Sequence, residues 1–133
     1  MIIGIGNDME SISRIEKVLE RRPNFLSTIL TPAEEAAARE RTGKHYLEFV
    51  AGRFSAKEAY AKALGTGIGH AVSWQDISIL NVPSGRPVMT VSGQKNRIAV
   101  AITHSGDYVN TVVTIEKWSL WQRLFAGDNH KEG

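Results

Sequence analysis

The 133-residue sequence predicts an α+β domain in which an N-terminal strand and a group of helices precede a mainly antiparallel sheet. Two observations support this fold class. Apolar residues recur at helical spacing through the first half of the chain, whereas from Trp74 onward they alternate every second residue. Turns rich in glycine and proline separate the alternating segments, as expected between antiparallel neighbours.

The first predicted elements are a strand and an amphipathic helix. Residues 2–6 form a short apolar run that we expect to be a buried strand, opening into a glycine turn that carries Asp8. Residues 13–20 alternate apolar and charged side chains at helical spacing. The apolar side chains expected to face inward are Ile12, Ile15, Val18 and Leu19.

Two further helices precede the sheet. The segment Thr31-Pro32-Ala33-Glu34 supplies a capping residue, a proline for the first helical position and a glutamate for a capping box, and Thr42-Gly43 is expected to end that helix. The next helix is predicted over residues 44–64, and the glycines of Gly65-Thr66-Gly67 end it.

The second half of the chain predicts four strands. They cover residues 77–79, 87–91, 98–103 and 108–115, with turns at Pro83-Ser84-Gly85 and Ser105-Gly106-Asp107. We expect one domain over residues 1–116 and a C-terminal extension over residues 117–133. Trp118, Trp121 and Phe125 recur at helical spacing in the extension, which predicts a short amphipathic helix over 117–126 that packs on the protein's own sheet or on a neighbouring subunit.

Composition limits the possible functions. The net charge of +2 is the difference between 16 basic and 14 acidic residues, so the chain lacks the charge of a strong nucleic-acid binder. Cysteine is absent, which excludes thiolate metal sites and disulfides. No apolar run approaches the roughly 18 residues of a membrane span. We therefore expect a cytoplasmic protein without a nucleic-acid or membrane partner.

Two carboxylates far apart in the sequence are candidate ligands of one metal ion. Glu58 and Lys62 lie four residues apart on the longest predicted helix, and Lys57 adjoins Glu58. Asp8 follows the first strand. Each feature alone is more typical of a solvated pair or a turn residue. Gly4-Ile5-Gly6 is a weak dinucleotide-binding signal, because Met9 stands where the third glycine should fall.

His104 follows a predicted strand in phase with the apolar residues Ile98, Val100 and Ile102. This phase places His104 on the apolar face at the rim of the sheet. Considered alone, such a histidine is more often structural than a ligand for phosphate.

The order of several segments resembles the holo-[acyl-carrier-protein] synthase family of 4'-phosphopantetheinyl transferases. These segments, spread over almost the whole chain to Glu116, are Gly6-Asn7-Asp8, Arg14-Ile15, Gly52-Arg53-Phe54-Ser55-Ala56-Lys57-Glu58-Ala59, Lys62-Ala63-Leu64-Gly65-Thr66-Gly67, Gly85-Arg86-Pro87 and Ile102-Thr103-His104-Ser105. The resemblance implies transfer of phosphopantetheine from coenzyme A to a serine of an acyl carrier protein, with release of adenosine 3',5'-bisphosphate, in support of fatty-acid synthesis.

The resemblance also implies roles for individual residues. Asp8 and Glu58 match magnesium ligands, and Glu58 and Lys62 are the residues expected to act in catalysis. The residues that match coenzyme A contacts are Arg53, Lys57, Lys62, Gly65, Gly85, Arg86, Pro87 and His104. The family usually has a glutamate where Ser11 stands, whereas here the acid is Glu10. Adjacent residues of an extended segment face opposite sides, so the sequence leaves open whether Glu10 replaces that glutamate.

The resemblance further implies a homotrimer with coenzyme A held between subunits. Arg14, Lys17 and Arg21 form a basic stripe on the first helix, a candidate docking surface for an acidic carrier protein. The alternative is a non-catalytic basic module that uses this stripe to bind an anionic protein. The stripe lacks interleaved aromatic residues, which argues against nucleic acid as its partner.

Overall fold

The structure is a computed structural model, and it describes residues 1–118. In chain order its elements are β1 (Ile2–Ser11), α1 (Ile12–Arg21), α2 (Phe25–Ile29), α3 (Pro32–Arg39), α4 (Gly43–Leu64), a 3₁₀ turn (Trp74–Asp76), β2 (Ile77–Asn81), β3 (Pro87–Val91), β4 (Arg97–Ser105) and β5 (Tyr108–Glu116). In this part of the chain, no helix is long and apolar enough to cross a membrane.

The strands form two antiparallel sheets. β1, β5 and β4 make a three-stranded sheet in that order, and β2 pairs with β3. The α+β class and the antiparallel pairing predicted from the sequence are confirmed. The elements α2 and the 3₁₀ turn were not predicted, because five and three residues are too short to show a helical period.

The longest helix, α4, packs across the three-stranded sheet and carries much of the core. Its residues Phe49, Val50, Ala56 and Tyr60 are buried. A methyl group added at Gly4 or Gly6 of β1 would overlap the carbonyl oxygen of Ala63 or Ala59. The glycine pair is thus explained by close contact between strand and helix.

The first strand differs from its prediction in length and in exposure. β1 extends to Ser11, so Asp8 lies within a strand that pairs with β5, and the predicted glycine turn is wrong. The strand is also not buried on both faces. Ile3 and Ile5 are exposed, whereas Gly6 and Asp8 on the opposite face are buried against α4.

The predicted start of α3 and the predicted end of α4 are confirmed. Thr31 and Glu34 form the capping box of α3, with Pro32 in the first turn. That helix ends at Arg39, and Gly43 instead begins α4, so the predicted helix end at Thr42-Gly43 is wrong. Gly65 ends α4 in the left-handed conformation, with φ of 84°. The predicted helix over residues 117–126 and the packing of the extension lie outside the described residues.

Candidate active site

The structure brings Asp8 of β1 together with Glu58 and Lys62 of α4. Nζ of Lys62 donates to Asp8 Oδ1 at 2.9 Å and to the carbonyl oxygen of Asn7 at 3.1 Å. The Asp8 side chain is 8% exposed, and its Oδ2 is buried without a hydrogen-bond donor. A buried carboxylate oxygen of this kind is costly unless a cation or donor occupies it.

Glu10 is a third carboxylate of this cluster, a placement that the sequence left open. Asp8 and Glu10 are two residues apart on one strand, so both face α4. The pKa of Glu10 is raised to about 7 by burial first, then by the hydrogen bond that its protonated form can donate to Asp8, and by the charges of Asp8 and Glu58. The pKa of Glu58 is raised by burial and by Asp8, while Lys62 opposes this shift. The cluster therefore favours a proton or a cation.

Glu10 makes stability depend on pH in a defined direction. Its folded-state pKa of about 7 exceeds its ordinary value of 4.5, so the folded chain binds more protons between these values and loses stability as pH rises through them. Without divalent cations, Glu10→Gln should therefore raise Tm at about pH 8 and change it much less at about pH 5. Thermal denaturation checks this. Substitution of the exposed Glu20 by glutamine serves as control. An equal change in Tm for Glu10→Gln at both pH values would contradict the position of Glu10 beside Asp8 and Glu58.

The chemistry of this cluster suits a hard divalent cation. Carboxylate oxygens are the ligands such ions prefer, and the unpartnered Oδ2 of Asp8 is available beside Glu58. Within residues 1–118, no three acidic or histidine side chains are already arranged as metal ligands. Asp8 and Glu58 could therefore serve as protein ligands if substrate oxygens and water supplied the others.

Lys57 does not reach this site. Its side chain is fully buried, and Nζ donates to Glu34 Oε1 at 2.6 Å, to the carbonyl of Ile29 at 2.6 Å and to that of Trp74 at 3.1 Å. All three ammonium protons are thus used. Five residues of helix separate Lys57 from Lys62, so they face different sides of α4. The structure thus directs Lys57 to Glu34 and away from Asp8, and this geometry gives no support to its predicted contact with coenzyme A.

Arg53 lies one turn before Lys57 on the same face of α4 and is also buried. Nε donates to the carbonyl of Ile79, and a terminal nitrogen donates to Asn81 Oδ1. Its guanidinium stacks 4.0 Å from the centre of the Phe49 ring. The structure thus directs Arg53 toward β2 and does not bring it to Asp8.

The remaining predicted contact residues lie apart from the carboxylates. His104 stands at the end of β4, where Nδ1 lies 2.9 Å from Glu48 Oε2 in the second turn of α4. Glu48 and Glu58 are ten residues apart, about 15 Å along the helix. Gly85 and Arg86 occupy the exposed turn between β2 and β3, and Gly65 ends α4. Within a single chain, the carboxylates and His104 therefore lie far apart.

The basic stripe of Arg14, Lys17 and Arg21 is exposed along α1, as predicted. Beside it lies a groove of about 420 Å³, which reaches the carboxylate cluster through Glu10. Phe25 and Phe54 supply apolar walls that the sequence reasoning did not single out. This groove connects a basic, partly apolar surface directly to the acidic site.

Comparison with known proteins identifies the family. The chain belongs to the 4'-phosphopantetheinyl transferase superfamily, whose sequence profile matches residues 4–114. Within this class of enzymes it is similar to holo-[acyl-carrier-protein] synthases. The protein of that name from Leuconostoc mesenteroides is 61% identical over 93% of this chain and 91% of its own length.

Two solved structures support the same assignment. A holo-(acyl-carrier-protein) synthase from Bacillus anthracis in complex with CoA (3',5'-ADP) has a TM-score of 0.83 and 42% identity, covering 89% of this chain and 99% of the other. The Helicobacter pylori holo-[acyl-carrier-protein] synthase in complex with coenzyme A has a TM-score of 0.74 and 34% identity, covering 84% and 99%. The resemblance found in the sequence is therefore confirmed.

Proposed function

We propose that this protein transfers the 4'-phosphopantetheine group from coenzyme A to a serine of apo acyl carrier protein. The observation that carries the proposal is the carboxylate cluster around the buried Asp8, which a basic groove reaches through Glu10, in a chain whose relatives are named for this reaction. The alternative of a basic module without chemistry does not account for the cluster. The cytoplasmic location expected from the sequence stays a prediction.

The residues of the cluster have separable roles in this reaction. Nζ of Lys62, now paired with Asp8, can turn to a phosphate oxygen because its side chain is 56% exposed. Glu58 can accept the serine proton, directly or through a bound water molecule. Asp8 and Glu58 would hold magnesium, which when bound supplies electrostatic stabilisation of the phosphoryl oxygens.

Release of adenosine 3',5'-bisphosphate tests the proposed reaction. Chromatography should show this product forming only when coenzyme A, magnesium and an apo carrier protein are all present. A carrier whose acceptor serine is replaced by alanine is the control. Product formation independent of the acceptor serine would indicate hydrolysis of coenzyme A and would refute transfer.

Carrier docking should depend on the basic stripe of α1. Acyl carrier proteins are acidic, so Arg14→Glu or Arg21→Glu should raise KM for the carrier by about tenfold or more, since reversing a charge replaces attraction with repulsion. KM for coenzyme A should change little. Steady-state kinetics at two salt concentrations measures both effects. Arg39→Glu, an exposed reversal on α3, is the matched control. Unchanged KM for the carrier in both stripe variants would contradict this docking surface.

We further propose a homotrimer with sites shared between subunits. The sheet face opposite α4 exposes apolar side chains to solvent, namely Ile3, Ile5, Met9, Tyr108 and Val112. Exposed apolar surface of this kind is typical of a protein–protein interface. We propose that other copies of this chain pack against it. Contact between copies would also bring His104 of one subunit toward the carboxylates of another.

Mixed assemblies test the shared site. Asp8→Asn and His104→Ala subunits, each with little activity alone at coenzyme A concentrations far below KM, should regain part of the activity at those concentrations when unfolded and refolded together, because some interfaces then combine an intact Asp8 with an intact His104. Mixing Asp8→Asn with Glu58→Gln is the control and should restore nothing, since both changes affect the same half of the site. Equal results from the two mixtures would contradict shared sites.

A further inference from the structure

The imidazole of His104 is held by a carboxylate that the sequence analysis did not single out. Nδ1 of His104 lies 2.9 Å from Oε2 of Glu48. At this distance a carboxylate oxygen of Glu48 can accept the proton of an Nδ1–H group. The Glu48 side chain is 10% exposed whereas that of His104 is 57% exposed. Glu48 is therefore the fixed partner, and His104 presents its remaining edge to solvent.

The packing of β4 on α4 determines this pairing. Ile102 lies against Gly52, where an added methyl group would stand 3.2 Å from Ile102 Cγ2. His104 follows Ile102 by two residues, about 7 Å along a strand, and Glu48 precedes Gly52 by one helical turn, about 6 Å. The two side chains meet because β4 and α4 run in opposite chain directions here. Moving from Ile102 to His104 along the strand therefore covers nearly the same distance as moving from Gly52 back to Glu48 along the helix.

We propose that Glu48 is a positioning residue that fixes the ring and tautomer of His104 so that Nε2 faces a phosphate of coenzyme A. This rests on the proposed contact between His104 and coenzyme A. With Nδ1–H bound to Glu48, a proton taken up from water at Nε2 makes the imidazolium a bridge between carboxylate and phosphate. Removing Glu48 frees the ring to rotate and removes the acceptor that faces Nδ1.

Nitrogen NMR of the imidazole tests the positioning without any activity. At a pH where the ring is neutral, wild-type His104 should carry its proton on Nδ1. Glu48→Gln should keep this tautomer, because the amide oxygen still accepts a hydrogen bond. Glu48→Ala should shift the proton largely to Nε2. Circular dichroism confirms that each variant is folded, and Glu40→Ala on the exposed end of α3 is the control.

Kinetics tests the consequence for binding. Glu48→Ala should raise KM for coenzyme A about tenfold, the scale typical of losing a residue that orients a ligand group, with kcat within about twofold. Glu48→Gln should fall between Glu48→Ala and the wild type, since it retains the acceptor but not the charge. The same split between KM and kcat is expected for His104→Ala.

Three outcomes would overturn the inference. An unchanged tautomer in Glu48→Ala would show that Glu48 does not set the ring. A changed tautomer with unchanged KM, while His104→Ala raises KM, would show that the ring's orientation does not matter for binding. If His104→Ala itself left KM unchanged, the proposed phosphate contact would fail, and the positioning role would fail with it even though the Nδ1 tautomer persisted.

Discussion

Asp8→Asn and Glu58→Gln should each reduce the transfer rate by at least about a hundredfold while leaving the fold intact. Both substitutions preserve the shape of the side chain, but each removes a negative charge from the cluster. Within this cluster, Oδ2 of Asp8 is buried and has no hydrogen-bond partner. Because Asp8 is paired with Lys62 and Glu58 is suited to accept a proton, loss of either group removes charge that the reaction requires. Steady-state rates at saturating coenzyme A and carrier measure the loss.

Folding and charge controls separate this effect from structural damage. Glu40→Gln lies on an exposed helix end and should retain full activity. Asp8→Asn should not unfold the chain, since the amide oxygen can still accept from Lys62. Near-normal rates in either carboxylate variant would contradict the proposed site, whereas lost activity together with a collapsed melting transition would show that the carboxylate is structural.

Lys57→Met should cost about 3–5 kcal/mol of unfolding free energy, because it leaves the Glu34 carboxylate buried without its cation. Glu34 accepts from the backbone amides of Thr31 and Ile79 as well as from Lys57, so it connects α3 and β2 to α4. Urea denaturation measures the loss. Affinity for coenzyme A should change little in whatever fraction of the protein remains folded.

The double variant Glu34→Gln with Lys57→Met is the decisive comparison. It removes both charges and keeps an acceptor oxygen for one of the two amides, and it should be less destabilised than Lys57→Met alone because no buried charge is left unpaired. Lys44→Met, on the exposed first turn of α4, should change stability by no more than about 0.5 kcal/mol. If Lys57→Met kept full stability and lost affinity for coenzyme A, the structural assignment of Lys57 would be contradicted.

Local patterns predicted most of the helices and strands. The capping box at Thr31, the glycine at the end of α4 and the alternation of β5 each depend on a few neighbouring residues. The pairing order of the strands and the contact of Gly4 and Gly6 with α4 depend on residues far apart in the sequence. Such contacts have no local signal, so the first strand was predicted too short.

The candidate site was predicted in part. Spacing alone placed Glu58 and Lys62 on one side of a helix, Asp8 was a candidate second ligand from its place after the first strand, and the family resemblance supported both carboxylates. Adjacency misled the interpretation of Lys57, because a neighbour in sequence faces another side of the helix and here meets Glu34. Strand alternation would have placed Glu10 beside Asp8 had the strand been extended beyond Gly6. Glu48 could not be found, since only tertiary packing brings it to His104.

The intact mass of the carrier protein tests the central claim most directly. Apo carrier incubated with coenzyme A, magnesium and this protein should gain the mass of one phosphopantetheine group, located on its acceptor serine by fragmentation. The same incubation with Asp8→Asn should leave the carrier at its apo mass over the same period. An unmodified carrier with the wild-type protein would contradict the account, as would equal modification by the folded Asp8→Asn variant.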